Sequence, residues 1–411
     1  MNYRFSTQQW FLIGLLLRLI VMPFTMHGDM YFVYKYPHYF SHGEWDIYGK
    51  GIYYPPANVI FFATVQFIYR IIFPGFENFT HMLAYTNTDM YESEHIFLSH
   101  FLMKLPYLVF DIFLINICWR MILDKNNKKY LMIFWAVNPV IIYGTFMVGQ
   151  MGLIPTFFVV LACYFSLKKG KESFACLSLA AGTLFKLFPI IFLPMVLCIS
   201  SRNIKDAFRL SLYCLLPILF FYGIFYLISG PSVFNNFRLV DDQFFQDISL
   251  SQNFGNVLLK LCQAFVYFFV CYHILQLRPD RLNYLVLIQC FLAVYLAFYW
   301  VHIIAATHRY VWFIPFMILY IQKYPKWKKP FYLLMVVIFL AGLRSRGSFM
   351  GIFGPLNPEL FFSIPSLKDI TWHLFGPTYD IIAESLFKVI TAIMALLLLK
   401  NIYSTAHEKF K

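Results

Sequence analysis

Charge is scarce in this chain. Only 13% of its 411 residues are Asp, Glu, Lys or Arg, against 60% hydrophobic ones. A soluble domain needs a charged shell, and no window here is long and polar enough to make one. The composition therefore excludes an ordinary globular protein and predicts a polytopic membrane protein. Paired cysteines are lacking too. The eight cysteines include no CxxC, and each lies in or beside a hydrophobic run. That excludes a metal knuckle or a disulfide framework and leaves packing as their role. No internal repeat and no low-complexity linker is visible, so one integrated domain over residues 1–411 is expected. The first hydrophobic run, residues 10–24, has no small-residue cleavage site behind it and is interrupted by Arg18. It reads as an uncleaved transmembrane helix, not a signal peptide.

What the chain has in abundance is apolar sequence. Spanning about 30 Å of hydrocarbon takes about 20 residues, fewer where the bilayer thins. Runs near 9–26, 96–119, 131–147, 153–168, 173–185, 187–200, 210–229, 257–277, 283–306, 308–322, 330–343 and 381–400 are candidates. Residues 56–74 form a further run that either spans or is re-entrant. The expected fold class is all-α: a transmembrane bundle of about 11–13 helices, with a long first outer loop carrying short interfacial helices.

The net charge of +13 does not imply nucleic acid, because Lys and Arg of membrane proteins collect in cytoplasmic loops. Loops 120–129, 168–172, 202–209, 278–281 and 323–329 hold 16 Lys/Arg and 4 Asp/Glu. The connections 27–54, 75–95, 230–256 and 344–380 hold 13 Asp/Glu and 6 Lys/Arg. The positive-inside rule predicts the first set inside and the second outside. Both termini then lie inside, provided that 56–74 does not change sides and that 173–200 forms two short helices with Lys186 at the outer turn.

On the outer side the first connection stands out. Residues 27–56 read HGDMYFVYKYPHYFSHGEWDIYGKGIYYPP. Asp29, Glu44 and Asp46 sit there among eight tyrosines and tryptophans and three histidines. An ordinary loop with an interfacial aromatic belt has this composition too. Other polar residues fall on the same side: Lys104, Asn138, Gln150, Lys186, Asp241, Asp242, Asp247, Asn253, His302, His308 and Arg309. Ionisable groups at membrane depth are costly and face a cavity or a partner. Each also has a structural reading. Lys104 can pair with Asp111 two turns on, Lys186 can snorkel from a helix end, and Asp29 can cap an interfacial helix.

The order of these pieces resembles the GT-C superfamily, polytopic glycosyltransferases that use polyprenyl-phosphate-linked sugars at the non-cytoplasmic face. Asp29 through the tyrosines to Tyr53-Tyr54-Pro55-Pro56 resembles the family's D…Y…G…YPP pattern. The resemblance continues through Lys104…Asp111, Asn138-Pro139…Gly149-Gln150, Phe185-Lys186-Leu187-Phe188-Pro189 and Thr307-His308-Arg309-Tyr310…Pro315. It covers residues 9–320, leaving 321–411 as C-terminal helices and an outer loop. Bacterial polyprenol-phosphate mannosyltransferases, eukaryotic GPI mannosyltransferases and dolichol-phosphate-glucose glucosyltransferases are the similar types. The chain departs from the pattern in two places. No DxD stands in the first loop, and Met151-Gly152 follows Gln150 where relatives often carry an acidic residue. A divalent cation, Mg²⁺ or Mn²⁺, is thus left open as a cofactor.

The resemblance implies an inverting hexosyltransferase of the cell envelope, in the cell membrane if the source is bacterial and with its active site on the extracytoplasmic face, moving mannose or another hexose to a glycan, glycolipid or cell-wall polymer. Such a transfer needs a base for the acceptor hydroxyl and cations or donors on the departing phosphate. Asp29 is the expected base. Lys186, Arg309, His308 and Lys104 are the expected phosphate ligands. Tyr31, Tyr53, Trp45, Glu44, Asp46 and Gln150 are left for sugar and acceptor. A transporter or flippase of a lipid-linked glycan is the alternative, but it predicts paired halves with interrupted helices. A membrane O-acyltransferase using His302 or His308 has nothing else in the chain to support it.

Overall fold

The structure, a computed structural model, describes residues 5–52, 54–85, 91, 93–122, 125–234, 254–276, 284–301, 310–342, 350–376, 389, 393–394 and 396–404. Among them every regular element is a helix. The chain runs through α1 (Thr7–Phe24), α2 (Gly28–Ser41), α3 (Pro56–Ile72), α4 (Pro74–Tyr85), α5 (Ile96–Met121) and α6 (Lys125–Ala136). It continues through the short α7 (Pro139–Ile141), a π-helical turn over Ile142–Met147, α8 (Leu153–Ser166), α9 (Glu172–Phe185), α10 (Leu193–Ser200) and α11 (Ile204–Ser229). Later helices include Phe254–Gln276, Tyr284–Val301, Ile314–Lys323 and Lys328–Gly342.

Among the described residues, three helices are long and apolar enough to cross a membrane: Thr7–Phe24, Ile96–Met121 and Ile204–Phe234. A fourth is added if Lys128–Ala136 and Pro139–Met147, bent by 43°, make one span. The other apolar helices are short, as the runs 153–168, 173–185 and 187–200 already are in the sequence. At 14 residues each, α8 and α9 reach only about 21 Å. Basic turns and prolines cut them short. Lys168 to Lys171 separates α8 from α9, and Lys186 with Pro189 separates α9 from α10. The long helices turn apolar side chains outward: Leu12, Leu16 and Ile20 on α1, and Leu216, Leu219, Phe220 and Leu227 on α11. Contiguous apolar surface of this kind needs a non-aqueous neighbour, which fits a chain embedded in a bilayer.

Contacts sort the connections by charge. Met26 N–H donates to the Ile352 carbonyl at 2.8 Å. Tyr91 meets Phe362 with ring centroids 5.9 Å apart. His42 lies 2.6 Å from Glu77, and the Ser229 hydroxyl donates to the Trp45 carbonyl at 3.2 Å. Described residues in or bordering all four acidic connections therefore share one end of the helical body. At the other end Arg120 and Lys168 flank Tyr164. The Tyr284 hydroxyl donates to the Tyr164 carbonyl at 3.2 Å, and Lys328 lies over the Tyr130 ring at 3.7 Å. Helix α5, with 26 residues and about 39 Å of length, runs from one end to the other.

A buried ion pair ties the first helices together. Arg18 on α1 donates through Nε to Asp111 on α5 at 2.7 Å, and both side chains are fully buried. Three of the four remaining guanidinium N–H groups reach carbonyls of Gly14 (2.8 Å), Ala136 (3.3 Å) and Trp135 (2.9 Å). The Trp135 indole donates to the second Asp111 oxygen at 3.0 Å, and its ring stacks 3.9 Å from the guanidinium. Gly14, one turn before Arg18, makes this possible: a Cβ there would sit 2.7 Å from the Ala136 Cα. Asp111 is therefore Arg18's partner, not the partner of Lys104 that its spacing in the sequence suggested. Removing one member of a buried pair costs about 3–5 kcal/mol, because the other charge is stranded. Asp111→Asn should accordingly lower the thermal unfolding temperature in detergent sharply. The Arg18→Met/Asp111→Leu double variant should recover much of that loss. Equal instability of the single and double variants would show that the pair is not what joins α1 to α5.

Candidate functional site

The candidate site begins at the corner where α1 gives way to α2. Lys104, fully buried on α5, donates to the Met22 carbonyl at 2.8 Å, to the Thr25 carbonyl and to the Thr25 hydroxyl at 3.1 Å. Its three N–H groups are thereby used. This corrects the expectation that Lys104 holds a phosphate. It caps the last carbonyls of α1 and sets the exit direction of the chain two residues before His27. Helix α2 is then fixed from its far side. The Tyr34 hydroxyl donates to the Met103 carbonyl, the Gln66 amide to the Tyr34 carbonyl at 2.7 Å, and the Tyr39 hydroxyl to the Ala84 carbonyl at 2.6 Å.

Asp29 lies in the first turn of α2 but is not the cap. The cap is His27, whose Nδ1 accepts the Asp29 N–H at 3.2 Å. The Asp29 carboxylate is 3.6 Å from the same ring nitrogen and about one-third exposed. The capping reading of Asp29 is therefore corrected, although a carboxylate in a first turn also suits the helix dipole.

The second part of the site arrives from the other side. Asn138 accepts the N–H groups of Val140 and Ile141, both at 3.1 Å, and Pro139 takes the first helical position. The chain re-forms as a helix there at a new angle and then ends at Gly149, whose φ is +76°. A Cβ on Gly149 would lie 2.5 Å from the Met30 sulfur, so glycine lets this backbone press against the residue after Asp29. Gln150 follows, buried, and its side-chain amide hydrogen-bonds Tyr54. Burial and then the Asp29 carboxylate hold the Tyr54 phenol above its ordinary pKa. Tyr54 is thus a protonated hydroxyl between Gln150 and the field of Asp29. The Gln150 Oε1 is buried with no partner among the described residues, which leaves it able to accept a hydrogen bond from a ligand hydroxyl. Tyr31, two residues past Asp29, lies against Tyr91, and burial raises its pKa as well.

Other expected residues sit elsewhere. Glu44 pairs with Lys50, Asp46 accepts the Gly49 N–H at 3.1 Å, and Trp45 is 55% exposed. All three belong to the turn after α2. That helix has 14 residues, about 20 Å of length, so they do not share a site with Asp29. Lys186 follows the end of α9, with its ammonium 5.0 Å from the Trp312 ring centre. Trp312 stacks on Phe188 at 4.0 Å. This puts Lys186 beside the chain that follows His308 and Arg309. Tyr53, His302, His308, Arg309, Asp241, Asp242, Asp247 and Asn253 lie outside the described residues. Two residues of the site were not singled out in the sequence, His27 and Tyr54. The tandem Tyr53-Tyr54 carried the signal for the latter, but adjacent tyrosines do not say which ring meets Asp29.

The far end of α2 carries a different polar group. His38 is buried and stacks at a tilt on His42, with ring centroids 4.2 Å apart. Burial, then His42 and His81, push the His38 pKa down to about 4, so its ring is uncharged at neutral pH.

No protein-family model, curated protein or solved structure matches this chain.

The tight approach of Gly149 to Met30 can be tested directly. Gly149→Ala meets both a positive φ and the Met30 side chain, so it should destabilise by more than about 1 kcal/mol. Thermal unfolding should show that Met30→Ala, added to it, restores part of the loss by opening space. No loss in the single variant would mean that this backbone does not press on α2.

Proposed function

We propose that this protein is a membrane glycosyltransferase, a polytopic helical enzyme that moves a hexose from a polyprenyl phosphate to a hydroxyl acceptor. The observation that carries the reading is the convergence of Asp29, Tyr54 and Gln150 at the end of the helical body where the acidic connections meet. A carboxylate, a neutral phenol and an amide with a spare acceptor suit a polyhydroxylated substrate. The apolar outer face of the long helices suits the lipid half of the donor.

In this reading Asp29 takes the proton of the acceptor hydroxyl as its oxygen attacks the anomeric carbon. The new glycosidic C–O bond forms as the bond from that carbon to the phosphate oxygen breaks. The electron pair leaves with polyprenyl phosphate, and direct in-line attack inverts the sugar carbon. Lys186 and Arg309 supply positive charge to the departing phosphate, Arg309 as a fork and Lys186 as a point charge. Tyr54 and Gln150 hold sugar or acceptor hydroxyls. His27 caps the helical turn that carries Asp29. The reaction so written needs no metal ion at Asp29.

A general base contributes about 10²–10⁴-fold to turnover. Asp29→Asn should therefore fold and bind a polyprenyl-phosphate sugar normally while its transfer rate falls by that factor. Near-normal transfer by a folded Asp29→Asn variant would remove Asp29 from the mechanism.

A further inference from the structure

We propose that His38, His42 and Glu77 form a binding site for a zinc-class transition-metal ion that clamps α2 onto α4. Along α2 the site is nine residues from Asp29, about 14 Å at the helical rise, so it is a separate place in the molecule.

The spacing comes first. His38 lies in the last turn of α2 and His42 caps its C-terminal end four residues on, with the two ring centroids 4.2 Å apart. Glu77 stands in the first turn of α4 and approaches that face from the neighbouring helix. One donor atom from each of the three residues can be chosen so that all lie within 4.8 Å of one another. Ligands around a tetrahedral zinc ion, with bonds near 2.0–2.1 Å, lie about 3.3 Å apart. Small rotations of the three side chains would reach that spacing.

The hydrogen bonding points the same way. His42 Nδ1 lies 2.8 Å from the His38 backbone carbonyl, and a carbonyl can only accept. Nδ1 therefore carries the proton, and the lone pair of a neutral ring is on Nε2. That nitrogen is 2.6 Å from Glu77 Oε1. At this distance the two share a proton, which a metal ion would displace as the pair opens to the spacing of zinc ligands. A ring N–H given to a backbone carbonyl is also how metal-bound histidines are held.

The ligand chemistry narrows the ion. Two imidazoles and one carboxylate suit Zn²⁺ and its neighbours. Mg²⁺ asks for oxygen ligands and near-octahedral geometry, and this set does not fit it. A fourth position falls to water or to His81, which lies one turn after Glu77 with its ring 5.9 Å from that of His38. Bound there, the ion would fix the C-terminal half of the helix whose first turn carries Asp29.

The test uses the full chain in detergent, purified through a histidine-free affinity tag and stripped with a chelator. Zn²⁺ alone is titrated against a competing chromophoric chelator, and thermal unfolding is followed with and without it. Wild type should take up one Zn²⁺ per chain and unfold at a higher temperature when it is bound, with no such shift from Mg²⁺. His42→Ala and Glu77→Gln should each weaken binding by more than the roughly 10–100-fold that loss of an outer-shell partner costs. Glu77→Gln keeps a hydrogen-bonding side chain opposite His42, so it guards against a fold-level artefact of His42→Ala. Two results overturn the proposal: wild type that takes up no Zn²⁺, or folded variants that bind it as tightly as wild type. In either case the cation between His42 and Glu77 is a proton.

Discussion

A charged pair with no exposure to solvent holds the first part of this protein in register. Arg18 and Asp111 meet at 2.7 Å, and the carbonyls of Gly14, Trp135 and Ala136 take up other guanidinium protons. Such a pair gives little net stability over an apolar replacement, but it is intolerant of losing one member. Its effect is to make three helices agree on one arrangement. Helix α1 cannot slide on α5 or α6 without stranding a charge or a carbonyl. Lys104, two turns away on α5, repeats the device at the end of α1. The exit of α1 is thereby set, and with it the start of α2.

From that corner the site follows by short steps. His27 caps α2, Asp29 occupies its first turn, and Gly149 admits a second backbone against Met30. Gln150 and Tyr54 close the group. The arrangement lies where described residues in and beside the acidic connections meet, while Arg120, Lys168 and Lys328 lie at the opposite end. This polarity gives the helical body two chemically different ends.

Much of this was legible in the residues. Asp29 and Gln150 belong to motifs whose order suggested a common site, and the structure brings them together through Tyr54. The turn at Lys186 was readable because lysine interrupts an apolar run, whereas the 43° bend at Asn138-Pro139 falls inside residues 131–147, which read as one run. Less was legible wherever one side chain chooses among distant partners. Lys104 and Asp111 are seven residues apart, so a pair on one helix looked reasonable. Asp111 instead answers Arg18, 93 residues earlier, and no local pattern announces that. The spread of the first connection was also hidden. Glu44 and Asp46 looked close to Asp29 in a loop, but a helix of about 20 Å separates them. The approach of Glu77 to His42 depends on how α2 packs on α4, which a sequence does not display.

The most direct measurement is turnover by the purified wild-type chain, offered a small panel of polyprenyl-phosphate sugars with hydroxyl acceptors. A transferase with the site described here should release polyprenyl phosphate in step with formation of a new glycosidic bond, with the sugar carbon inverted. Movement of an intact lipid-linked glycan across a vesicle membrane, with no bond broken and no sugar transferred from any donor, would contradict it.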